Sequence, residues 1–349
     1  MNSNSSILRT HLSASFITFL IFCAFMSIFC GCAEEKPKLI KPALVFGERG
    51  KKDGNFLNID GIAVDAKGNI YVADIHRVQV FDKNGKFLYS IGGSVAGPGE
   101  IKDDVVGIAI NGMNQIILAD LYNYRYLVFT LDGKFIRSFG ERGIENGRFI
   151  APQGVCVDKE NNIYTVDNGA DTVQVFSPDG KFLFRFGKTG KNKGEFREPE
   201  SITIHKDRIY VADEGNGRIQ YFDLKGTYLG EIGRQTIVLR SPAQHEDYSE
   251  TPAELYKSFF TKDVEGIVFD GEGFLYAANE DEGVIELFTE DGKRVGSFTS
   301  TAPGGLKKIQ GLSTNQEKTN LYVCDQGNMR IQVFDLSIIR KAVLKNSLK

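Results

Sequence analysis

Side chains with oxygen donors recur at one position of a phrase that the chain repeats six times. The phrase begins with Gly or Ser and continues with apolar residues, as in Gly61-Ile62-Ala63-Val64. The residues that directly precede the phrase are, in chain order, Asp60, Val106, Gln153, Glu200, Glu265 and Gln310. Carboxylate and amide oxygens can ligate a hard cation such as Ca²⁺ or orient a polar ligand. Such chemistry requires a fold that brings these distant positions together.

The spacing of the phrase predicts that fold. Its copies begin at Gly61, Gly107, Gly154, Ser201, Gly266 and Gly311, which are 46, 47, 47, 65 and 45 residues apart. Self-similarity at a period of about 40–50 residues indicates a propeller or a solenoid. Each copy holds four short apolar runs separated by Gly, Asp and Asn turns, which is typical of a four-stranded antiparallel blade. The sequence predicts an all-β, six-bladed β-propeller over residues 43–340.

The ring is predicted to close through an N-terminal strand. The last copy lacks a fourth strand after Phe334, whereas Ala43-Leu44-Val45-Phe46-Gly47 resembles the fourth strands of other copies. We therefore expect residues 44–46 to pair with the strand that contains Ile331 and to complete the sixth blade. Closure removes the edge strands that would otherwise invite aggregation.

In this architecture the residues before the innermost strands meet at one opening of the central channel. Asp60, Glu200, Glu265 and Gln310 come from adjacent blades and would form a continuous arc, with Gln153 further round. Carboxylates in a confined mouth repel one another, and calcium would relieve that repulsion. A polar rim around a water-filled channel is the alternative interpretation.

The ends of the second strands carry a repeated charge pattern. Asp residues occupy this position in five blades and basic residues follow closely in four, at Arg77, Arg125, Arg218 and Arg330. A pair repeated in most blades is interpreted as a structural brace. Blade 5 departs from the pattern with Asn279 followed by the acidic residues Glu280, Asp281 and Glu282.

An insert over residues 234–262 precedes the fifth blade. A capping-box pattern at Thr251-Pro252-Ala253-Glu254 predicts a short amphipathic helix over residues 255–260. The insert enters on the face of the channel mouth, so it is expected to be either a lid or a loop packed at the rim by Phe259 and Phe260.

The phrases Gly-Ile-Ala-Val-Asp at 61–65, Asn-Ile-Tyr-Val-Ala-Asp at 69–74 and Ile-Gln-Val-Phe-Asp at 331–335 resemble NHL repeats, a family of propeller blades. This family implies a scaffold whose members bind proteins or nucleic acids or act as enzymes. Blades 5 and 6 also resemble those of β-propeller phytases, which are calcium-dependent phosphoesterases. That resemblance implies Glu265 and Glu280 as calcium ligands and Gln326 as a polar contact. The arc at the channel mouth adds Glu200 as a third candidate metal ligand. Gln310 and Lys308 stand where the phytase motif has Glu and Asp.

The N-terminus predicts export. Residues 12–29 are mostly apolar after Arg9, and Gly31-Cys32 follows, as in bacterial lipoprotein signals. We expect residues 1–31 to be a signal peptide, Cys32 to be lipidated, 32–42 to be a linker and 341–349 to be a tail. An uncleaved membrane anchor is the alternative. Either reading places the propeller outside the cytoplasm, at the cell envelope or periplasm.

Composition limits the possible partners. The chain carries 42 basic and 45 acidic residues, a balance that argues against nucleic-acid binding, which favours a basic face. The remaining cysteines, Cys156 and Cys324, fall in opposite blades and are predicted to be free and buried. The sequence predicts an envelope scaffold that binds a protein or a small polar ligand. A calcium-dependent hydrolase, phytase-like or lactonase-like, is the alternative.

Overall fold

The computed structural model describes residues 36–93, 97–101, 104–238, 254–258, 260 and 263–345. Within these residues, six blades of four antiparallel strands surround a central channel. In the first five blades the four strands are consecutive in the chain, whereas the outer strand of the sixth comes from the N-terminal part. The predicted six-bladed propeller is confirmed. The compact unit that contains it begins at Pro37.

Each blade runs from an innermost to an outermost strand. Blade 1 contains β3 (Ile59–Val64), β4 (Ile70–Asp74), β5 (Arg77–Phe81) and β6 (Phe87–Gly92). Blade 2 contains β7 (Val105–Ile110), β8 (Gln115–Asp120), β9 (Arg125–Thr130) and β10 (Phe135–Phe139). Blade 3 contains β11 (Pro152–Val157), β12 (Ile163–Asp167), β13 (Thr172–Phe176) and β14 (Phe182–Phe186).

Blade 4 contains β15 (Pro199–His205), β16 (Arg208–Asp213), β17 (Arg218–Asp223) and β18 (Tyr228–Ile232). Blade 5 contains β21 (Val264–Phe269), β22 (Leu275–Asn279), β23 (Val284–Phe288) and β24 (Arg294–Ser300). Blade 6 contains β25 (Ile309–Thr314), β26 (Asn320–Asp325), β27 (Arg330–Asp335) and β2 (Leu44–Phe46). Short 3-10 turns follow the second strands of blades 2, 4 and 6 at Leu121–Asn123, Glu214–Asn216 and Gln326–Asn328.

The apolar content of the middle strands follows from their burial on both faces. All five residues of β4, and likewise of β12, β22 and β23, are buried. Both faces of a strand can be apolar only where other layers cover both. The core accordingly lies between neighbouring blades, as where Val72 of blade 1 shares a cluster with Ile331 of blade 6. The outermost strand β14 alternates between exposed and half-buried residues.

The N-terminal strand closes the ring as predicted. Leu44 pairs with Val333, Val45 with Gln332 and Phe46 with Ile331, in antiparallel register. The Phe46 ring also packs on Phe81 of blade 1, with 4.9 Å between ring centroids.

Both ends of the described chain cover the outer edge of blade 5. Strand β1 (Lys38–Ile40) pairs in parallel with β24, and helix α1 (Leu336–Leu344) buries Leu336, Ile339 and Val343 against the same blade. Arg340 of this helix forms an ion pair with Asp270 at 2.7 Å. The structure thus differs from the linker predicted for 32–42 and from the tail predicted for 341–349. A strand of three residues is too short to show a hydrophobic period in the sequence. Strand β1 forms because it can pair with the open edge of β24.

The helix predicted over residues 255–260 is wrong. Glu254–Ser258 forms a strand, β20, that pairs with β19 (Arg234–Val238) as an antiparallel hairpin. The capping-box pattern is a local signal, and here cross-strand pairing overrides it. Phe260 is buried and packs on Phe288, with 5.7 Å between centroids. Phe259, Thr251 and the stretch from His245 to Tyr248 lie outside the described residues.

Candidate binding site at the channel mouth

A ring of glycines allows the innermost strands to converge around the channel. A Cβ atom on Gly61 would lie 2.1 Å from the Val106 carbonyl oxygen of the next blade, far inside van der Waals contact. Gly154, Gly107, Gly266 and Gly311 face their neighbours in the same way. Blade 4 has Ser201 instead, and its hydroxyl accepts a hydrogen bond from the Ile267 backbone N–H at 3.4 Å. The strands enclose a cavity of about 450 Å³.

The residues predicted from the repeated phrase converge at this cavity. Asp60, Gln153, Glu200, Glu265 and Gln310 all line it, together with Val106. Gln326 lies at the same end, because its Nε2 donates a hydrogen bond to Asp60 Oδ1 at 2.9 Å. Glu280 also belongs to this end, because a side-chain hydrogen bond with Glu265 acts to lower the pKa of Glu280.

Two further positions per blade reach the same mouth, and sequence reasoning missed most of them. The first lies two residues before the channel-lining residue, and the second directly follows the second strand. The first set is Asn58, Asp104, Ala151, Glu198, Asp263 and Lys308. The second set is Ile75, Leu121, Asn168, Glu214, Glu280 and Gln326. Contacts such as Asn58 Nδ2 to Asp60 Oδ2 (2.9 Å) and Asn168 Nδ2 to Glu200 Oε1 (2.6 Å) place them beside the lining residues.

The three sets divide the mouth into unlike halves. Blades 4 and 5 carry acidic residues at every position, namely Glu198, Glu200, Glu214, Asp263, Glu265 and Glu280. Blades 2 and 3 carry Val106, Leu121 and Ala151 at equivalent positions, all half-buried. Lys308 of blade 6 is the basic member of the three sets, and its charge acts to lower the pKa of Glu280. The mouth is therefore acidic throughout on one side and mixed on the other, where Asp104, Gln153 and Asn168 accompany the three apolar residues.

Burial and mutual repulsion hold protons on this acidic half. Burial, followed by the charge of Glu214, raises the pKa of Glu200 well above its ordinary value. The pKa of Glu265 is raised by burial and then by Glu200. The pKa of Glu214 rises to about 7, chiefly through burial and the charge of Asp263. A cation that entered this half would displace protons and relieve the repulsion.

Comparison with known proteins agrees with the fold. A family model described as a 6-bladed beta-propeller matches residues 162–301. "Protein brain tumor" of Drosophila melanogaster is 30% identical over 125 residues, which cover 35% of this chain and 12% of that protein. "RING finger protein nhl-1" of Caenorhabditis elegans is 33% identical over 126 residues, covering 36% and 13%. The chain thus spans about an eighth of the length of these curated relatives. The chain is a six-bladed β-propeller whose repeats are similar to those of NHL-repeat proteins.

Solved structures share the fold of this propeller at low identity. A streptogramin B lyase structure aligns with a TM-score of 0.55 and 11% identity, covering 82% of this chain and 95% of that one. A catalytically inactive virginiamycin B lyase from Staphylococcus aureus with quinupristin gives a TM-score of 0.52 and 15% identity, covering 80% and 85%. At such identities the likeness concerns the architecture alone.

The Asp–Arg pattern of the propeller is a structural brace, as predicted. Asp74 accepts hydrogen bonds from the backbone N–H groups of Leu57 and Asn58 and pairs with Arg77 at 3.1 Å. Equivalent ion pairs join Arg125 to Asp120, Arg218 to Asp213 and Arg330 to Asp325. These braces tie each mouth loop to its own blade and leave the lining residues to face the channel.

Blade 5 lacks this brace. Asn279 stands at the Asp position, fully buried, and neither its side-chain oxygen nor its nitrogen has a hydrogen-bond partner among the described residues. Glu286 stands where four other blades have a buried Gln, and it pairs with Arg294 at 2.7 Å. The departure coincides with the β19–β20 insert, which replaces the short loop that the brace holds elsewhere.

The mouth does not form a ready metal site. Among the described residues, no three His, Cys, Asp or Glu side chains are grouped closely enough to hold an ion. Both carboxylate oxygens of Asp60 already accept hydrogen bonds from amide groups, and so does one oxygen of Glu200. The calcium ligands predicted at Glu200, Glu265 and Glu280 therefore stay a prediction, as does the phytase resemblance.

Two cysteines lie within the described part of the chain. Cys324 is buried and Cys156 is half-buried in the channel wall, and both thiols are free. Among the described residues, no helix is long and apolar enough to cross a membrane.

Proposed function

We propose that this propeller is an exported, lipid-anchored binding module that receives a cationic group of its ligand in the channel mouth. The anchor is Cys32, and the site of action is the cell envelope. The partner is an envelope protein or a small polar ligand. The observation that carries the proposal is the gathering of six acidic residues from blades 4 and 5 around one end of the cavity.

Electrostatics supports a cation as the bound group. Burial and the neighbouring carboxylates raise the pKa values of Glu200, Glu265 and Glu280, and the charge of Lys308 acts against that rise at Glu280. An ammonium or guanidinium group would supply a positive charge and form charge-assisted hydrogen bonds, which are about twice as strong as neutral ones. Binding would therefore release protons near neutral pH.

The apolar residues that blades 2 and 3 place at the mouth support a ligand with a hydrocarbon part next to its charge. Val106 and Leu121 lie across the channel from blade 5, since they belong to blade 2 of a six-bladed ring. A Lys or Arg side chain has this combination, with an apolar stem and a charged head. The proposed ligand is thus a basic side chain, an N-terminal amine or a comparable alkylamine.

A calcium-dependent hydrolase is the alternative that the sequence suggested. A calcium site usually takes six to eight oxygen ligands, and the mouth does not present three acidic side chains grouped for an ion among the described residues. Calcium binding remains a proposal that the same experiment tests.

The test measures thermal unfolding of the full chain at pH 7.5 with four probes: hexylammonium, methylammonium, hexanoate and CaCl₂. A ligand that binds only the folded state stabilises it by mass action, by about 2.7 kcal/mol at one hundred times its Kd. We expect hexylammonium to stabilise the most, methylammonium less and hexanoate not at all.

Matched variants separate the mouth from general charge effects. Glu265→Gln should reduce the hexylammonium effect, whereas Glu160→Gln, at an exposed turn of blade 3, should leave it unchanged. Equal stabilisation by hexylammonium and hexanoate would contradict the proposal. Stabilisation by CaCl₂ alone, lost in Glu265→Gln, would favour the metal-binding alternative.

A further inference from the structure

Helix α1 presents a basic and apolar stripe at the rim of blade 5. Leu336, Ile339 and Val343 face the blade and are buried. Ile338, Lys341 and Lys345 follow the same i, i+3, i+7 spacing on the opposite side, so they lie along one exposed face. Ile338 is 52% exposed, so this face carries an apolar residue beside its two lysines.

Strand β1 adds exposed residues at the same rim. Leu39 is 70% exposed, and Lys36 and Lys41 flank the strand at exposed positions. Strand β1 contacts both β24 and α1. The rim of blade 5 therefore carries four exposed lysines and two exposed aliphatic residues in a chain whose net charge is −3.

The direction of β1 fixes where the preceding chain leaves the propeller. First strands start at the mouth, so fourth strands run towards it, and β1 runs parallel to the fourth strand β24. Strand β1 consequently begins at its end remote from the mouth. Lys38 is the sixth residue after Cys32, and an extended chain spans at most about 3.5 Å per residue. An acyl group on Cys32 would hold Lys38 within about 20 Å of the bilayer.

We propose that the rim formed by α1 and β1 rests on an anionic lipid bilayer, with the channel mouth directed away from it. The proposal rests on the anchoring at Cys32 put forward above. Lys36, Lys41, Lys341 and Lys345 supply the attraction, since basic residues near an anionic surface each favour binding. Ile338 and Leu39 enter the interface beside them. The mouth then stays open to its ligand.

Lysine acetylation footprinting tests this orientation in the full chain extracted from membranes. The chain is reconstituted into vesicles of phosphatidylcholine alone or with phosphatidylglycerol, and the acetylation rate of each lysine is read by mass spectrometry. We expect the four rim lysines to react about fivefold more slowly with phosphatidylglycerol, a factor equal to about 1 kcal/mol per basic residue. Lys51, Lys52, Lys191 and Lys193, exposed in mouth-side loops, should keep their rates.

Two variants with the same charge change serve as a pair. Lys341→Gln with Lys345→Gln should restore fast acetylation of Lys36 and Lys41, whereas Lys191→Gln with Lys193→Gln should not. Equal rates in both vesicle types, or protection of the mouth-side set, would overturn the proposal. Protection already present in detergent would assign the rim to a protein contact and overturn it as well.

The outcome is separable from that of the proposed function. A chain that sediments with neither vesicle overturns the anchor and this orientation together. A chain that sediments and responds to hexylammonium, but shows no rim protection, overturns the orientation alone.

Discussion

Replacing Asp60 with Asn should change the stability of the propeller in opposite directions at low and high pH. Burial, and then the charge of Asp104, raises the pKa of Asp60 from 3.8 to about 7, while the hydrogen bond from Gln326 acts in the other direction. Asp74 and Glu280 add smaller repulsions. The folded state therefore binds a proton more tightly than the unfolded chain does. The stability that this proton contributes is complete below pH 3.8 and is lost as the pH rises through 7.

The size of the effect follows from the pKa. A rise from 3.8 to about 7 corresponds to about 4 kcal/mol, at about 1.4 kcal/mol per pKa unit. Partial exposure of Asp60 and screening by salt reduce this to about 2 kcal/mol. Asn cannot accept both hydrogen bonds that Asn58 and Gln326 donate, which costs about 1 kcal/mol. Asp60→Asn should thus be about 1 kcal/mol more stable than the native chain at pH 8.5 and about 1 kcal/mol less stable at pH 3, below the ordinary pKa of the group.

Urea unfolding at the two pH values, followed by circular dichroism, gives both free energies. Asp207→Asn is the matched control, because Asp207 is exposed in the turn between β15 and β16, at the end of blade 4 that lies away from the mouth. A variant that is destabilised equally at both pH values would refute the reasoning, since Asp60 would then be ionised and compensated in the native protein.

Four further predictions concern the site, the brace, the closure and the anchor. Glu265→Gln should lower the midpoint shift that hexylammonium produces in thermal unfolding, as set out above. Arg218→Met should lower the free energy of unfolding in urea by about 3–5 kcal/mol, because it leaves the buried carboxylate of Asp213 unpaired. Arg125→Met should lower it by less, because Arg125 is only half-buried. Equal losses of stability in the two variants would contradict the role of burial. Deleting residues 37–47 should abolish a single cooperative unfolding transition, since blade 6 loses its outer strand; an unchanged transition would show that closure is dispensable. Cys32→Ser should release soluble protein or stall the precursor, and retention of both forms in the membrane at precursor mass would indicate an uncleaved anchor.

Repetition explains why so much of the fold could be read from the sequence. Six copies of one phrase specify blade number, strand order and the position that faces the channel, because an identical local pattern must take an identical place in each blade. The pairing of Leu44–Phe46 with β27 followed from a missing strand at one end and a surplus strand at the other. The Asp–Arg brace followed from its recurrence in several blades.

Features outside the repeated phrase could not be predicted from the sequence in the same way. The hairpin β19–β20 carries a helix-capping pattern, and only its cross-strand partner decides its conformation. The outer acidic residues Glu198, Glu214 and Asp263 were present in the sequence at fixed offsets from the channel position. Extending the comparison by two residues before that position, and to the residue after each second strand, would have revealed the acidic half of the mouth.

The closing strand also determines when this protein can finish folding. Blade 6 joins Leu44–Phe46 to Ile309–Asp335, so its sheet cannot be completed until nearly the whole chain has been synthesised. Contacts between distant parts of a chain form slowly, and unpaired strand edges are prone to aggregation while they wait. A product truncated anywhere before β27 would keep its N-terminal strand without a partner. The ring can therefore be completed only by a chain that has been synthesised through β27, and an interrupted translation product would leave it open.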